Sequence, residues 1–443
     1  MPKSSLTNED LKLVNRSAVL KKIFQKGTIS RKELEGETGL AHATIIKLVN
    51  ELINSGLVVE VGSDSETKRL GGPNPVLLGL NDKEFYVLAI HVGTSTILIS
   101  LVNLRARIIE FKAVKIRKDL SPDELMTMVD DCVKRIETSK GIIMQKNVLG
   151  IGVSIGGIVD TESGVITWHD IKPLRQFPIR KALESHFGVP TFIDNVIGAI
   201  ALAEAELGRG VDLESFVFVY VAGIVGFVPV FKGELLRGGR NVAGQIGHSV
   251  VKPDGPLCSC GKQGCLNSIV SRDAVIERSQ ALMKQKETLL YRWINEPSEI
   301  THKLVVRASI EGDQECQKIL KERGKYLGKV IGEIVNNIDP QKIILGIYSK
   351  HPNYYRLTDA ISINTAQELS KGVYPQILSE IECRALIVAY EEALCFKERI
   401  PPIVFVPLGR EVTMVGAAIL AIQKILSPRL AITNKNTQLK VSL

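Results

Sequence analysis

One stretch restricts this chain more than any other: His248 followed by Cys258, Cys260 and Cys265, in the pattern H-x9-C-x-C-x4-C. One imidazole and three thiolates within 18 residues make a full tetrahedral ligand set for Zn²⁺. Gly255, Gly261 and Gly264 supply the permissive backbone that lets a short loop fold back around an ion. With all four positions filled by protein, the pattern points to a closed, structural site rather than a hydrolytic one. The plainer alternative is a reduced cysteine cluster beside an unrelated histidine. A disulfide would leave one thiol over, and nothing else marks a secreted protein.

The remaining composition is that of an ordinary globular protein. The 443 residues allow two or three cores, with 45% hydrophobic and 23% charged residues. A net charge of +8 and a pI near 9.0 permit nucleic-acid binding without demanding it. No apolar run reaches the length of a membrane span and the N-terminus lacks a hydrophobic signal core, so a cytoplasmic location is expected. Seven cysteines without an even framework fit a reducing compartment. Cys132, Cys316, Cys383 and Cys395 lie in apolar surroundings and are expected to pack in cores.

The first eighty or so residues read as a winged helix-turn-helix. Thr7 with Asp10 forms an N-cap signal, and Leu11, Val14, Val19, Leu20, Ile23 and Phe24 follow at helical spacing up to Gly27. Ser30 caps a second short helix closed at Gly39. A third begins near Ala41 and runs to Gly56. Two strands, Leu57–Glu60 and Val76–Leu78, then flank a polar, glycine-rich tip. This order predicts DNA binding, with the third helix in the major groove. The candidate contacts are Ser30 and Arg31 at the start of the second helix, His42, Ala43, Thr44, Lys47 and Asn50 on the third, and Lys68 and Arg69 in the wing. A small helical protein-interaction domain is the alternative, and the balanced local charge does not separate the two. A palindromic site would require the rest of the chain to associate with a second copy.

From Glu84 the texture is α/β. Strands are predicted at Phe85–Val92, Thr96–Val102 and Arg107–Lys112, a helix at Pro122–Ser139, and a further strand at Val148–Ser154 leading into Gly156 and Gly157. The same texture returns in strands at Phe216–Val221, Gly226–Val230 and Lys342–Gly346. A long helix ends near Asn337, and a closing helix opens at Val415.

Taken in order, the winged helix, the G-x-x-G-H element ending at His248, the C-x-C-G-x-x-G-C-L run and the I-D-P-x-x-I-x-L-G strand resemble the ROK family (repressors, open reading frames and sugar kinases). The resemblance spans essentially the whole chain, and the winged helix places it on the repressor branch, near the glucose, N-acetylglucosamine and xylose repressors. It implies residues 1–82 as a winged helix-turn-helix. Residues 83–443 would form a two-lobed, ribonuclease H-like (actin-like ATPase) α/β domain for effector binding and oligomerisation, with the zinc loop at 244–267.

The resemblance also carries a test for sugar phosphorylation, which needs a carboxylate base and glycine-rich turns around ATP. The family's kinases place the base in an N-D-x-N element, where this chain has Ile193-Asp194-Asn195-Val196-Ile197-Gly198. Val196 holds the base position and cannot accept a proton. The three phosphate turns read His91-Val92-Gly93, Ala222-Gly223-Ile224-Val225-Gly226 and Gly346-Ile347-Tyr348, each departing from the kinase pattern. No kinase activity is expected, although Asp194 stands close enough in sequence to be weighed as a relocated base. For the sugar pocket the resemblance implies Gly157, Asp194, Asn195, Gln245, His248 and Asn267, with Gln245 and Asn267 where the family has glutamates. The expected protein is a repressor that binds operator DNA as a homodimer or homotetramer, holds structural Zn²⁺, and answers to a sugar or sugar phosphate. Control by a transport-system protein is the alternative, and the segment 427–443 carries no assignable pattern.

Overall fold

A computed structural model describes residues 7–63, 75–285, 287–348, 361–363, 378–396 and 398–427. The wing tip with Lys68 and Arg69 lies outside the described residues, as do residues 428–443. The chain divides into two compact units, Met1–Ala203 with Thr413–Leu443, and Glu204–Val412.

The first unit opens with α1 (Asn8–Lys26), β1 (Ile29–Ser30), α2 (Arg31–Thr38), α3 (His42–Asn54), β2 (Val58–Ser63) and β3 (Val76–Leu80). Capping explains where the first two helices begin. Thr7 and Asp10 form a reciprocal capping box on α1, and Ser30 and Glu33 form one on α2. Gly39 closes α2 in the left-handed conformation that a residue without Cβ adopts cheaply. Val19, Ile23, Leu34, Ile45, Val49, Leu52 and Leu78 bury a small core between these helices and an antiparallel sheet of order β1-β3-β2. β1 is too short to carry a period-2 signal in sequence; its pairing with Leu77 and Leu78 creates it.

A five-stranded sheet follows, made of β4 (Tyr86–Val92), β5 (Thr96–Asn103), β6 (Ile108–Lys115), β7 (Val148–Ile155) and β10 (Thr191–Asn195), in the order β10-β7-β4-β5-β6. β4, β7 and β10 run parallel, so their C-terminal ends, Val92, Ile155 and Asn195, lie in register along one edge. Helix α4 (Pro122–Lys140) and the short α5 (Met144–Asn147) precede β7. A hairpin, β8 (Gly157–Asp160) with β9 (Val165–His169), and helix α6 (Ile179–Phe187) lie between β7 and β10. α7 (Val196–Leu207) leaves the end of β10, and the helix Arg410–Leu426 closes the unit. That closing helix starts at Arg410, ahead of the Val415 read from sequence, because Arg410–Met414 continue its helical turns. It approaches β7 so closely that a Cβ on Gly152 would fall 1.8 Å from the Ala417 carbonyl oxygen.

The second unit holds a six-stranded sheet of β11 (Ser215–Val221), β12 (Val225–Phe231), β13 (Glu234–Leu235), β14 (Ile343–Tyr348), β15 (Ile361–Ile363) and β16 (Ile403–Leu408), in the order β13-β12-β11-β14-β16-β15. α8 (Asn267–Val270), α9 (Arg272–Met283), α10 (His302–Ile310), α11 (Gln314–Ile338) and the helix Glu380–Ala393 complete it. Val219, Leu327, Ile331, Leu345, Leu386 and Phe405 share its main core. Cys132, Cys316 and Cys383 are buried, but Cys395 is exposed, against the expectation of core packing. It follows Ala393 and Leu394, where the helix has ended and the chain turns outward.

Candidate metal centre, pocket residues and nucleic-acid interface

The cysteine loop assembles from residues that share one short segment. A 3₁₀ turn over Ile246–His248 presents the imidazole, and two isolated antiparallel bridges, Val250 with Cys265 and Leu257 with Gln263, bring the cysteines back to it. Gly264 turns with φ +68°, and a Cβ there would lie 1.5 Å from the Lys252 carbonyl oxygen, so only glycine fits. The donor atoms of His248, Cys258, Cys260 and Cys265 all lie within 4.8 Å of one another, the one such group among the described residues. Cys258 Sγ is 3.6 Å from His248 Nδ1, and Cys260 Sγ is 3.7 Å from Cys265 Sγ. A tetrahedron with zinc-length bonds has edges of about 3.6 Å between sulfur and nitrogen and about 3.8 Å between sulfurs. Those two pairs match the edges of such a tetrahedron, and the remaining donor pairs lie within 4.8 Å.

The electrostatics of the four ligands differ. Burial, then the neighbouring thiols, pushes the Cys265 thiol up to about 12, whereas a hydrogen bond from the Lys262 backbone lowers Cys260. Burial and then Lys262 lower His248, which keeps its ring neutral and able to ligate. A dication among these groups would stabilise all three thiolates against burial. Lys262 Nζ also donates to the His248 carbonyl at 2.8 Å, and Lys252 Nζ donates to Glu322 of α11 at 2.8 Å. These lysines escape sequence reasoning, because a lysine in a glycine-rich loop carries no signal of what it will meet.

The resemblance-derived pocket residues have defined local roles. Asp194 is buried, and its Oδ1 accepts the Asn195 amide at 2.8 Å. Asn195 Oδ1 accepts the Gly198 amide at 2.9 Å, which caps α7. Asn267 Oδ1 accepts the Val225 amide at 2.7 Å, and Gly247 lies so close that a Cβ there would come within 2.4 Å of the same oxygen. Gln245 is exposed just before the 3₁₀ turn. Gly157 pairs with His169 at the start of the β8–β9 hairpin. The neighbouring Gly156 amide is bonded to the Val92 carbonyl at 2.8 Å and so is not offered to a ligand. Asp194, Asn195 and Gly157 belong to the first unit, Gln245, His248 and Asn267 to the second.

The three turns compared with kinase phosphate loops are filled by the protein itself. His91 Nδ1 lies 3.0 Å from Ser154 Oγ, and Gly93 donates to the Thr96 carbonyl at 3.0 Å. Gly223 is flanked by Asp273 and Arg272, and Arg272 donates its amide to the Ala222 carbonyl at 2.7 Å. Gly346 stands inside β14, paired with Tyr220 and Val406, and Ile347 is buried in the core. Val196, at the base position, is 5% exposed at the first turn of α7.

On the winged helix, α3 separates two faces. Ile45, Leu48, Val49 and Leu52 are buried, while His42, Ala43, Ile46, Lys47 and Asn50 are exposed and Thr44 is half-buried. Ala43, Ile46, Lys47 and Asn50 follow i, i+3, i+4, i+7 spacing and form one outward ridge. Two of the other candidates have structural partners: Ser30 is buried as the α2 cap, and Arg31 reaches Glu60 of β2 at 3.0 Å. The His42 ring meets the Glu35 carboxylate. Sequence reading overlooked Ile46, which looks like a core position in an apolar helix.

The ROK family model matches residues 87–375. This chain belongs to the ROK family. The ROK chain is 31% identical over 339 residues to the xylose repressor of Caldicellulosiruptor bescii, an alignment covering 76% of it and 83% of that protein. It is 27% identical over 390 residues to the DNA-binding transcriptional dual regulator NagC of Escherichia coli K12, covering 87% and 94% of the two chains. In fold it resembles the crystal structure of a ROK family transcriptional regulator homologous to E. coli Mlc, with a TM-score of 0.74, 24% identity, and coverage of 96% of this chain and 98% of that one.

Proposed function

We propose that this ROK protein is a DNA-binding transcriptional repressor of carbohydrate-metabolism genes that responds to a sugar or sugar derivative. The observation that carries the reading is the exposed ridge of Ala43, Ile46, Lys47 and Asn50 on α3, backed by a buried face, in front of a ROK domain. Ala43 and Ile46 suit contact with thymine methyl groups, Asn50 suits a bidentate contact to adenine, and Lys47 suits guanine or phosphate. The names of its relatives, a xylose repressor and a DNA-binding transcriptional dual regulator, support the same reading. Residues 1–82 would bind operator DNA, and residues 83–443 would hold the effector and associate with further copies, working in the cytoplasm. Among the described residues no helix is long and apolar enough to cross a membrane.

The protein does not phosphorylate sugars on this reading. A buried valine stands where the base is needed, and Asp194, the relocated candidate, is buried against the Asn195 amide. The loop of His248, Cys258, Cys260 and Cys265 would hold Zn²⁺ as a structural crosslink. Asn195 and Asn267 give their oxygens to backbone amides, so Nδ2 is the end each would offer to a sugar hydroxyl. Effector binding then needs to favour one domain arrangement by only about 1–3 kcal/mol to shift operator affinity.

Recovery of genomic DNA fragments by the purified protein tests this. Discrete fragments retained by the full chain, and lost with Lys47→Ala and Asn50→Ala together, are expected. Unselective retention by both proteins overturns the reading.

A further inference from the structure

The parallel strands β4, β7 and β10 end together, and the C-terminal edge of such strands is where an α/β sheet receives a ligand. Asn195 stands opposite Ile155 at that edge. Two residues on, Gly157 pairs with His169, and Ile158 pairs with Trp168, so the β8–β9 hairpin emerges where β7 and β10 stop. The backbones there are in close approach: a Cβ on Gly157 would lie 2.3 Å from the Trp168 carbonyl oxygen.

Trp168 is 42% exposed, so part of its indole is open to solvent at this edge. It is also held. The Arg175 guanidinium carbon sits 5.1 Å from the ring centroid, and Arg175 Nε donates to the His169 carbonyl at 2.8 Å. The guanidinium, anchored by that bond, lies over one face of the indole and leaves the opposite face uncovered by it. A part-exposed indole fixed from one side matches the chemistry of a sugar ring, whose C–H face is apolar.

We propose that the face of Trp168 opposite Arg175 is the platform on which the effector sugar stacks and that Arg175 holds the indole in place from behind, which makes Trp168 a specificity determinant of the effector site. The inference rests on the sugar-responsive reading above. It commits to a cyclic sugar, because an open-chain polyol has no flat C–H face to lay on the ring.

The two tryptophans, Trp168 and Trp293, make the test direct. Full-length protein carrying Trp293→Phe reports from Trp168 alone. It would be titrated with D-xylose, D-glucose, N-acetyl-D-glucosamine and the phosphate esters of these sugars by fluorescence, and the wild type by calorimetry, with thermal melts to show that each variant folds. The expected result is a saturable emission change for a sugar that also gives heat. Trp168→Ala should weaken that sugar at least tenfold, and Trp168→Phe should retain it within a few-fold. A sugar that binds by calorimetry while Trp168 emission stays constant and Trp168→Ala binds normally overturns the platform and leaves the effector reading intact. No heat from any of the sugars overturns the effector reading, and the platform falls with it.

Discussion

Lys252 of the cysteine loop and Glu322 of α11 are joined at 2.8 Å, and Arg278 of α9 meets the other oxygen of the same carboxylate. Glu322 thereby moors the cysteine loop to the helical layer of its unit. The two cations outweigh burial and hold the Glu322 carboxyl below its usual range. The pair is partly solvated, so its contribution lies in positioning the loop. Glu322→Gln is expected to weaken metal retention on the order of tenfold, the lower end of what supporting residues contribute at metal sites. Competition with a chromophoric chelator measures this, and an unchanged affinity would show that the loop positions itself.

Metal removal should act on stability more than on secondary structure elsewhere. One zinc per chain is expected by elemental analysis, with Cys258→Ser or Cys265→Ser reducing it to a small fraction. A chelator should lower the melting temperature of the wild type and leave that of Cys265→Ser unchanged. Equal chelator sensitivity in both proteins would locate the metal outside this loop.

The winged helix predicts two different kinds of DNA-binding defect. Asn50→Ala should cost about 1–3 kcal/mol and relax preference at one base position. Lys47→Ala is expected to weaken all sequences alike if it meets phosphate, reducing the salt slope by about one. Binding measured across a salt series on the recovered site and on single-base variants separates them.

Arg323 and Glu382 form a buried ion pair in the second unit, with Arg323 Nε donating to the Val270 carbonyl at 2.7 Å. Burial raises the Glu382 carboxyl, and Arg323 opposes that shift. Arg323→Met leaves the carboxylate buried without its partner and should destabilise by about 3–5 kcal/mol. Arg323→Met combined with Glu382→Leu should cost much less. Denaturant unfolding of both variants decides the point.

Acid should destabilise the fold before its carboxylates titrate. Burial lowers His91 to about 4 and His302 to about 3. Their folded pKa values lie below the unfolded one, so the native state binds fewer protons. The stability they contribute is complete above about pH 6.5 and is lost as pH falls toward 4 and 3. Melting temperatures between pH 7 and 5 should fall in the wild type and fall less steeply with His91→Gln, which retains a polar contact for Ser154.

The sequence by itself determined whatever depends on near neighbours. The capping boxes of Thr7 with Asp10 and Ser30 with Glu33, the helix stop at Gly39, and the convergence of His248 with Cys258, Cys260 and Cys265 each close within 18 residues, where chain geometry leaves few alternatives. Strands β4, β5 and β7 were legible because each is a continuous apolar run of strand length, as a strand buried on both faces requires. Tertiary structure alone decided the rest. The β8–β9 hairpin, α6 and β16 were not assigned from sequence, since short segments take their conformation from the sheet edge or layer that receives them. Asn267 reads as a sugar ligand in sequence, yet its oxygen is directed to the amide of Val225, 42 residues away. Trp168 and Arg175 likewise acquire their arrangement only when the hairpin places the indole within 5.1 Å of the guanidinium. A polar side chain's residue type states what it can bond, but the partner comes from distant chain, and the fold chooses which one arrives.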